Sequence, residues 1–106
     1  MLRRKADFDA IARQGTARSS RLLVLKSLHT GRPETRIGLS TPRSLGGAVQ
    51  RNRVRRRLRE VLRERREGIG AGWDLLLITR PPAAAASYAE LREAVRSLLE
   101  RSGITG

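Results

Sequence analysis

The sequence predicts an α/β domain, and three observations carry that prediction. Residues 48–62 repeat apolar side chains at helical period, residues 21–28 and 73–79 are apolar runs of strand length, and the helix lies between two strand candidates. With 106 residues the chain has room for one domain, expected over residues 1–106, with one small core. Its 39% of hydrophobic residues, taken with ten glycines, match ordinary globular domains, so it is expected to fold despite a net charge of +13.

Taken in order, Ala6 to Gln14 reads as a short helix with Phe8, Ile11 and Ala12 on one side, Asp7 placed to cap it and Gly15 to stop it. Asp7 and Asp9 stand two apart and diverge on a helix, so they read as first-turn acids that suit the helix dipole, not as an acid/base pair. Arg21 to Leu28 has strand length, with a split into two strands left open. Thr30-Gly31-Arg32-Pro33 is turn chemistry leading to a second strand, Arg36 to Ser40, and the two strands read as an antiparallel pair. Pro42 and Gly46-Gly47 bracket a loop before a helix from about Gly47 to Glu67, ended by Gly68.

Trp73 to Thr79 holds Leu75, Leu76, Leu77 and Ile78 without alternation, the pattern of a strand buried on both faces, and Pro81-Pro82 ends it. Ser87-Tyr88-Ala89-Glu90 fits a capping box. Leu91, Val95, Leu98 and Leu99 then form the inner stripe of a last helix that stops before Gly103. A strand, helix, strand unit over Arg36 to Thr79 makes those two strands parallel across a crossover.

The helix after Gly47 carries the chemistry. Nine arginines lie between Arg51 and Arg66, yet Val54, Leu58, Val61 and Leu62 form one narrow apolar stripe that can dock on a core. At 100° per residue Asn52, Arg56, Arg59 and Arg63 fall on the opposite side, with Arg55 at its margin. A guanidinium is a planar fork that binds phosphate oxygens in pairs and stacks on bases, so this face suits RNA. A merely solvated charged helix would mix signs, whereas Glu60, Glu64 and Glu67 offset a fraction of the positive charge. Arg51 sits near the apolar margin, where a role inside the fold is the alternative. Residues 1–67 hold 19 Lys or Arg against 6 acids, and the remainder 4 against 4, so the excess is local to the first two thirds.

Other chemistry is missing. There is no cysteine, hence no disulfide or thiolate. His29 beside a turn reads as a solvent-exposed residue, and no metal cluster can be built around it. Gly46-Gly47 lacks the rest of any phosphate-loop or dinucleotide motif. No apolar run approaches membrane-span length, and basic Met1 to Lys5 is followed by Ala6-Asp7-Phe8-Asp9 where a signal peptide needs an apolar stretch, so the expected location is the cytoplasm. If the chain takes part in catalysis, something else supplies the reacting groups.

Nearly the whole sequence resembles the protein subunit of bacterial ribonuclease P. The resemblance runs through Asp7-Phe8, Gln14-Gly15-Thr16, Arg36-Ile37-Gly38-Leu39-Ser40, Gly46-Gly47-Ala48-Val49, the Arg51-to-Glu60 helix with its Arg-Asn-Arg start, and Asp74-Leu75-Leu76-Leu77-Ile78-Thr79-Arg80-Pro81. It implies a small two-layer α/β sandwich, a four-stranded mixed sheet with three helices in the order α-β-β-β-α-β-α, with a left-handed crossover against the general rule. It also implies that a catalytic RNA with Mg²⁺ hydrolyses the bond between the 5′ leader and mature tRNA, the protein binding that RNA and the single-stranded leader. By resemblance Arg51, Asn52, Arg53, Arg55, Arg56 and Arg59 are RNA contacts and Arg43 a phosphate neighbour. Phe8, Ala12, Val24 and Lys26 line the leader cleft, Val24 and Lys26 sharing strand parity. No cofactor bound by the protein itself is expected, Mg²⁺ being required by the RNA, and no protein partner is required.

Ala12 and Lys26 stand where the family often has aromatics, so leader binding is expected to lean more on charge and less on stacking. Phe8 taken alone reads first as a packing residue. The main rival is a ribosomal-type RNA-binding protein of similar charge and size. A helix-turn-helix regulator needs a short helix just before the recognition helix, which Pro42 to Gly47 does not provide. An autonomous nuclease needs a carboxylate or histidine cluster that the sequence lacks.

Overall fold

The computed structural model describes residues 5–104; Met1 to Arg4, at the basic N-terminus, lie outside the described residues. Helix α1 (Lys5–Gln14) is followed by strands β1 (Thr16–Ser19), β2 (Leu23–His29) and β3 (Arg36–Ser40), helix α2 (Ala48–Arg65), strand β4 (Trp73–Thr79) and helix α3 (Tyr88–Arg101). One mixed sheet has the order β1-β2-β4-β3, with β2 antiparallel and β3 parallel to β4. Helix α2 is therefore the crossover between the two parallel strands.

Side-chain parity divides the sheet between two cores. Leu23 and Leu25 of β2 and Leu75 and Leu77 of β4 join Val54, Leu58 and Val61 of α2 and Leu91, Val95, Leu98 and Leu99 of α3 in the main core. Leu76, of the other parity, packs with Ile11 of α1, flanked by Phe8, Leu28 and Ile78. The sheet and the α2/α3 layer make the sandwich, and α1 crosses part of the sheet's other face. Each buried Leu or Val contributes about 1.5–3 kcal/mol, so the stripes read from helical spacing are what hold α2 and α3 down.

The expected antiparallel pairing of residues 21–28 with 36–40 is corrected. Those strands do run in opposite directions, but β4 lies between them. Its unbroken apolar run needs neighbours on both edges. The turn after β2 is tied to the start of β4 instead, Thr30 N donating to Gly72 O at 2.7 Å. The additional strand is not a split of the apolar run either. It is the polar Thr16–Ser19, exposed at every position. Arg21 and Leu22 form the connection to β2, closed by Ser20 N donating to Leu23 O at 2.8 Å and by Leu22 N and Leu23 N donating to Ser20 Oγ.

Two local readings at α1 also change. Asp7 lies inside the first turn, not at the cap, and its carboxylate turns to the sheet. Gly15 does follow the helix, but it is not among the positive-φ glycines. Its need is space: a Cβ there would stand 2.5 Å from Ile11 O and 2.7 Å from Ser27 O. Gly15→Ala is expected to push α1 off β2 at a cost of about 1–3 kcal/mol, read as a lowered urea midpoint with an unchanged slope. A midpoint equal to wild type would show that the contact yields freely.

Helix α2 ends at Arg65 and continues as a 3-10 turn to Gly68, two residues short of the expected helix end. Helix α3 is capped at both ends as its sequence promises. Ser87 Oγ accepts from Glu90 N at 3.1 Å, and Glu90 Oε1 accepts from Ser87 N at 3.0 Å. At the other end Gly103, at φ 70°, lets Ile104 N donate to Leu99 O. Ser87→Ala is expected to lower stability by about 1 kcal/mol, measured by urea denaturation. The bond from the Ser87 backbone holds the Glu90 carboxyl below its ordinary pKa, so Glu90 stabilises above its unfolded-state value and loses that effect as pH falls through the depressed one. The stability gap between wild type and E90Q should close in acid, and a gap unchanged by pH would contradict the assignment.

Candidate nucleic-acid interface

Docking of α2 by its apolar stripe fixes which arginines face out. Asn52, Arg53, Arg56 and Arg59 are exposed, and Arg43 is exposed in the 3-10 turn before the helix. Among the described residues no side-chain hydrogen bond or ion pair occupies Arg53, Arg56 or Arg59. Arg51 and Arg55 differ. Arg51 is half-buried at the helix margin, with its Nε out of contact with solvent. Arg55 is half-buried and donates to Thr41 Oγ1 at 2.5 Å and Asn52 Oδ1 at 3.1 Å, fastening the start of α2 to the end of β3. Arg57 is structural as well, donating to Ala86 O at 2.9 Å.

Val49, named above only as part of the family resemblance, also belongs to this face. Val49 is 76% exposed, the one large hydrophobic side chain left so open among the described residues. Seven residues before Arg56, it sits on the same outward side, and helical spacing alone could have flagged it. Arg63, also on this side, is engaged by Glu60, which raises its pKa and spreads its charge over an ion pair.

The second surface lies on the sheet face that α1 only partly covers. Val24 and Lys26 point to this side because Leu23 and Leu25 enter the main core. Val24 is registered with Ser19 and Ile78, and Lys26 with Ala17 and Leu76. Phe8 is half-buried on the Leu76 and Ile78 patch, and Ala12, one turn on, is exposed. The structure thus brings Phe8, Val24 and Lys26 to one face, with Ala12 on the helix above it. Ile78 and Ser40, paired across β4 and β3, extend the same strip. They were not legible beforehand because their place depends on strand order.

A charged brace holds α1 over this face. Arg36 Nε and Nη2 donate to the two carboxylate oxygens of Asp74 at 2.9 and 2.7 Å, and its Nη1 and Nη2 reach Asp7 at 3.4 and 3.2 Å. Arg36 and Asp74 are register partners in β3 and β4. The hydrogen bond to Asp74 raises the Arg36 pKa against the opposing effect of burial. Both of these acids are committed to Arg36, and among the described residues no group of three or more His, Cys, Asp or Glu could hold a metal ion.

A family model described as Ribonuclease P matches residues 1–103. The ribonuclease P protein component of Roseiflexus sp. (strain RS-1) is 38% identical over 104 residues, covering 97% of this chain and 85% of the relative. That of Bacillus mycoides (strain KBAB4) is 33% identical, covering 97% and 90%. Among solved structures, the RNase P protein from Thermotoga maritima superposes with a TM-score of 0.87 at 28% identity, covering 99% of this chain and 97% of that one. The Staphylococcus aureus protein gives 0.91 at 24% identity over 99% and 96%, a likeness of fold. The four-stranded mixed sheet with three helices matches the fold of those solved proteins, and with the family match over nearly the whole chain and relatives at 38% and 33% identity the chain belongs to the ribonuclease P protein family, the protein components of a ribonucleoprotein endonuclease.

Proposed function

We propose that the outward face of α2 docks on the catalytic RNA of ribonuclease P, and that the strip beside α1 receives the single-stranded 5′ leader of precursor tRNA. The observation that carries this is α2 itself, a helix whose inner stripe docks on the core while Arg53, Arg56 and Arg59 stand exposed, without a hydrogen bond or ion pair among the described residues. Arg43 and Asn52 extend that contact, and Arg51 and Arg55 join it from the helix margin. The protein lowers repulsion between two RNAs and raises local affinity for substrate and metal ions. Hydrolysis of the phosphodiester belongs to the RNA and its Mg²⁺. Residues 1–106 act as one RNA-binding domain in the cytoplasm, with no further protein partner required. No helix among the described residues is long and apolar enough to cross a membrane.

Leader recognition by this chain rests on Lys26 and one aromatic, Phe8, over the floor of Val24 and Ile78. Base stacking on aromatics is worth about 1–3 kcal/mol per base, so with Ala12 and Lys26 in place of further aromatics the charge share is larger. Precursor tRNAs with leaders of increasing length, bound to the holoenzyme across a salt series, test this. Affinity should exceed that for mature tRNA, and Lys26→Ala should reduce the salt slope by about 1 while changing base preference little. Equal affinity for precursor and mature tRNA would overturn the leader cleft, and an unchanged slope would remove Lys26 from it.

A further inference from the structure

Beside the outward face of α2, on the flank that meets β3, the protein has an open cavity of about 550 Å³. Ile37, Leu62 and Ile69 give it an apolar lining, and Arg59, Arg63 and Arg66 bring three guanidinium groups, with Glu34 the one acid in the lining and Glu60, outside it, paired with Arg63. The volume falls within the roughly 300–1,000 Å³ of sites that take small organic groups. Its wall is built before any ligand arrives. Thr35 Oγ1 donates to Gly70 O at 2.6 Å and accepts from Trp73 N at 3.2 Å, while Gly70 N donates to Ile104 O at 3.0 Å. Residues 35 and 69–73 are thereby held in place, and a preformed wall lowers the ordering cost of binding.

The lining is selective in kind. A site for phosphate alone has no use for three aliphatic side chains, and a site for an apolar molecule has no use for three guanidinium groups. Together they suit a flat aromatic ring that carries an anion, which is the chemistry of a nucleotide. Unpaired RNA bases are recognised when splayed from the stack onto apolar or guanidinium surfaces, with phosphate held by Arg forks. Arg59 belongs both to the cavity and to the outward face of α2, so RNA lying along the helix reaches the opening.

We propose that this cavity binds one unstacked nucleotide of the ribonuclease P RNA, its base on Ile37, Leu62 and Ile69 and its phosphate against Arg63 and Arg66. The Glu34 carboxylate accepts a hydrogen bond from an exocyclic amino group, which favours adenine, cytosine or guanine over uracil. The inference rests on the reading that α2 faces this RNA and adds a discrete site to it.

The test is chemical probing of unpaired nucleotides in the ribonuclease P RNA, free and bound to the full-length protein. Three proteins are compared: wild type, R63A/R66A, and Ala71→Trp, which fills the cavity from its exposed rim. Thermal melts accompany each, and the two exposed arginines keep the test valid should the tryptophan variant fail to fold. Wild type should protect one isolated unpaired nucleotide beyond the set covered by Asn52, Arg53 and Arg56. Both variants should restore its reactivity while the rest of the footprint persists, and R63A/R66A should weaken RNA binding about tenfold. Changing that nucleotide to uridine should weaken wild-type binding several-fold and leave Glu34→Ala indifferent. No isolated protection, or weaker binding by R63A/R66A with no nucleotide regaining reactivity, would overturn the site in favour of diffuse charge. Absence of wild-type RNA binding would instead bring down the parent reading and the cavity with it.

Discussion

Combined replacement of Arg53, Arg56 and Arg59 by alanine is expected to weaken binding to ribonuclease P RNA by about a hundredfold or more at 0.15 M salt, with the fold intact. A hydrogen bond to a charged group contributes about 1.5–3 kcal/mol, and tenfold in affinity is about 1.4 kcal/mol. Three such contacts, discounted for exposure and screening, still amount to two decades. The salt dependence should flatten by about 2–3 in slope as three phosphate contacts disappear. Stability should hardly move, because these side chains are exposed and make no hydrogen bond or ion pair among the described residues, and alanine is a good helix former. Arg55 is left out on purpose, since its bonds to Thr41 and Asn52 would mix folding with binding. Filter binding over a salt series, paired with thermal melts, checks this. A loss below tenfold with an unchanged slope would move the RNA face off α2.

The largest stability effect outside the hydrophobic core is expected at Arg36. Arg36→Ala leaves Asp74, whose side chain is 5% exposed, with no counter-charge and two lost hydrogen bonds. Breaking one side of a buried pair costs about 3–5 kcal/mol, and because the Arg36 side chain is itself 19% exposed the lower end, about 3 kcal/mol, applies. That is a large share of the roughly 5–15 kcal/mol typical of whole domains. Asp7→Asn should cost less, since its contacts to Arg36 are longer and its side chain is also 19% exposed. R36A/D74N should recover part of the loss, and the double-mutant cycle gives the coupling. Because Asp7 ties α1 to the sheet only through Arg36 among the described ion pairs, leader affinity should fall further than affinity for the catalytic RNA. A nearly neutral R36A would show that Ile11 and Phe8 alone hold α1.

Legibility in the sequence followed from whether an element announces itself locally. The stripes Val54-Leu58-Val61-Leu62 and Leu91-Val95-Leu98-Leu99, the Ser87 capping box and the limits of β4 are local patterns, and the structure matches them. β1 was invisible because Thr16–Ser19 has no buried face and pairs only through its backbone with β2. The neighbour of β2 was misread because a turn sequence after a strand suggests a hairpin, whereas the preference of an all-apolar strand for the sheet interior decides the order only once the strands compete. The arginines of α2 could be placed by helical period, but the commitment of Arg55 to Thr41 could not, because it joins α2 to a residue fourteen positions earlier. The brace of Arg36 with Asp74 and the cavity wall at Thr35 and Gly70 depend on sheet register in the same way.

On the proposed function, this protein equips a catalytic RNA and the RNA is the nuclease. The most direct measurement is 5′-leader removal from precursor tRNA by a bacterial ribonuclease P RNA at low Mg²⁺, with no protein, with the protein, and with R53A/R56A/R59A. The protein alone should be inert, the wild type should restore cleavage by the RNA, and the triple variant should fail to do so while remaining folded. Cleavage by the protein alone, or tight RNA binding with no restored cleavage, would show that the protein does not serve the catalytic RNA in this way.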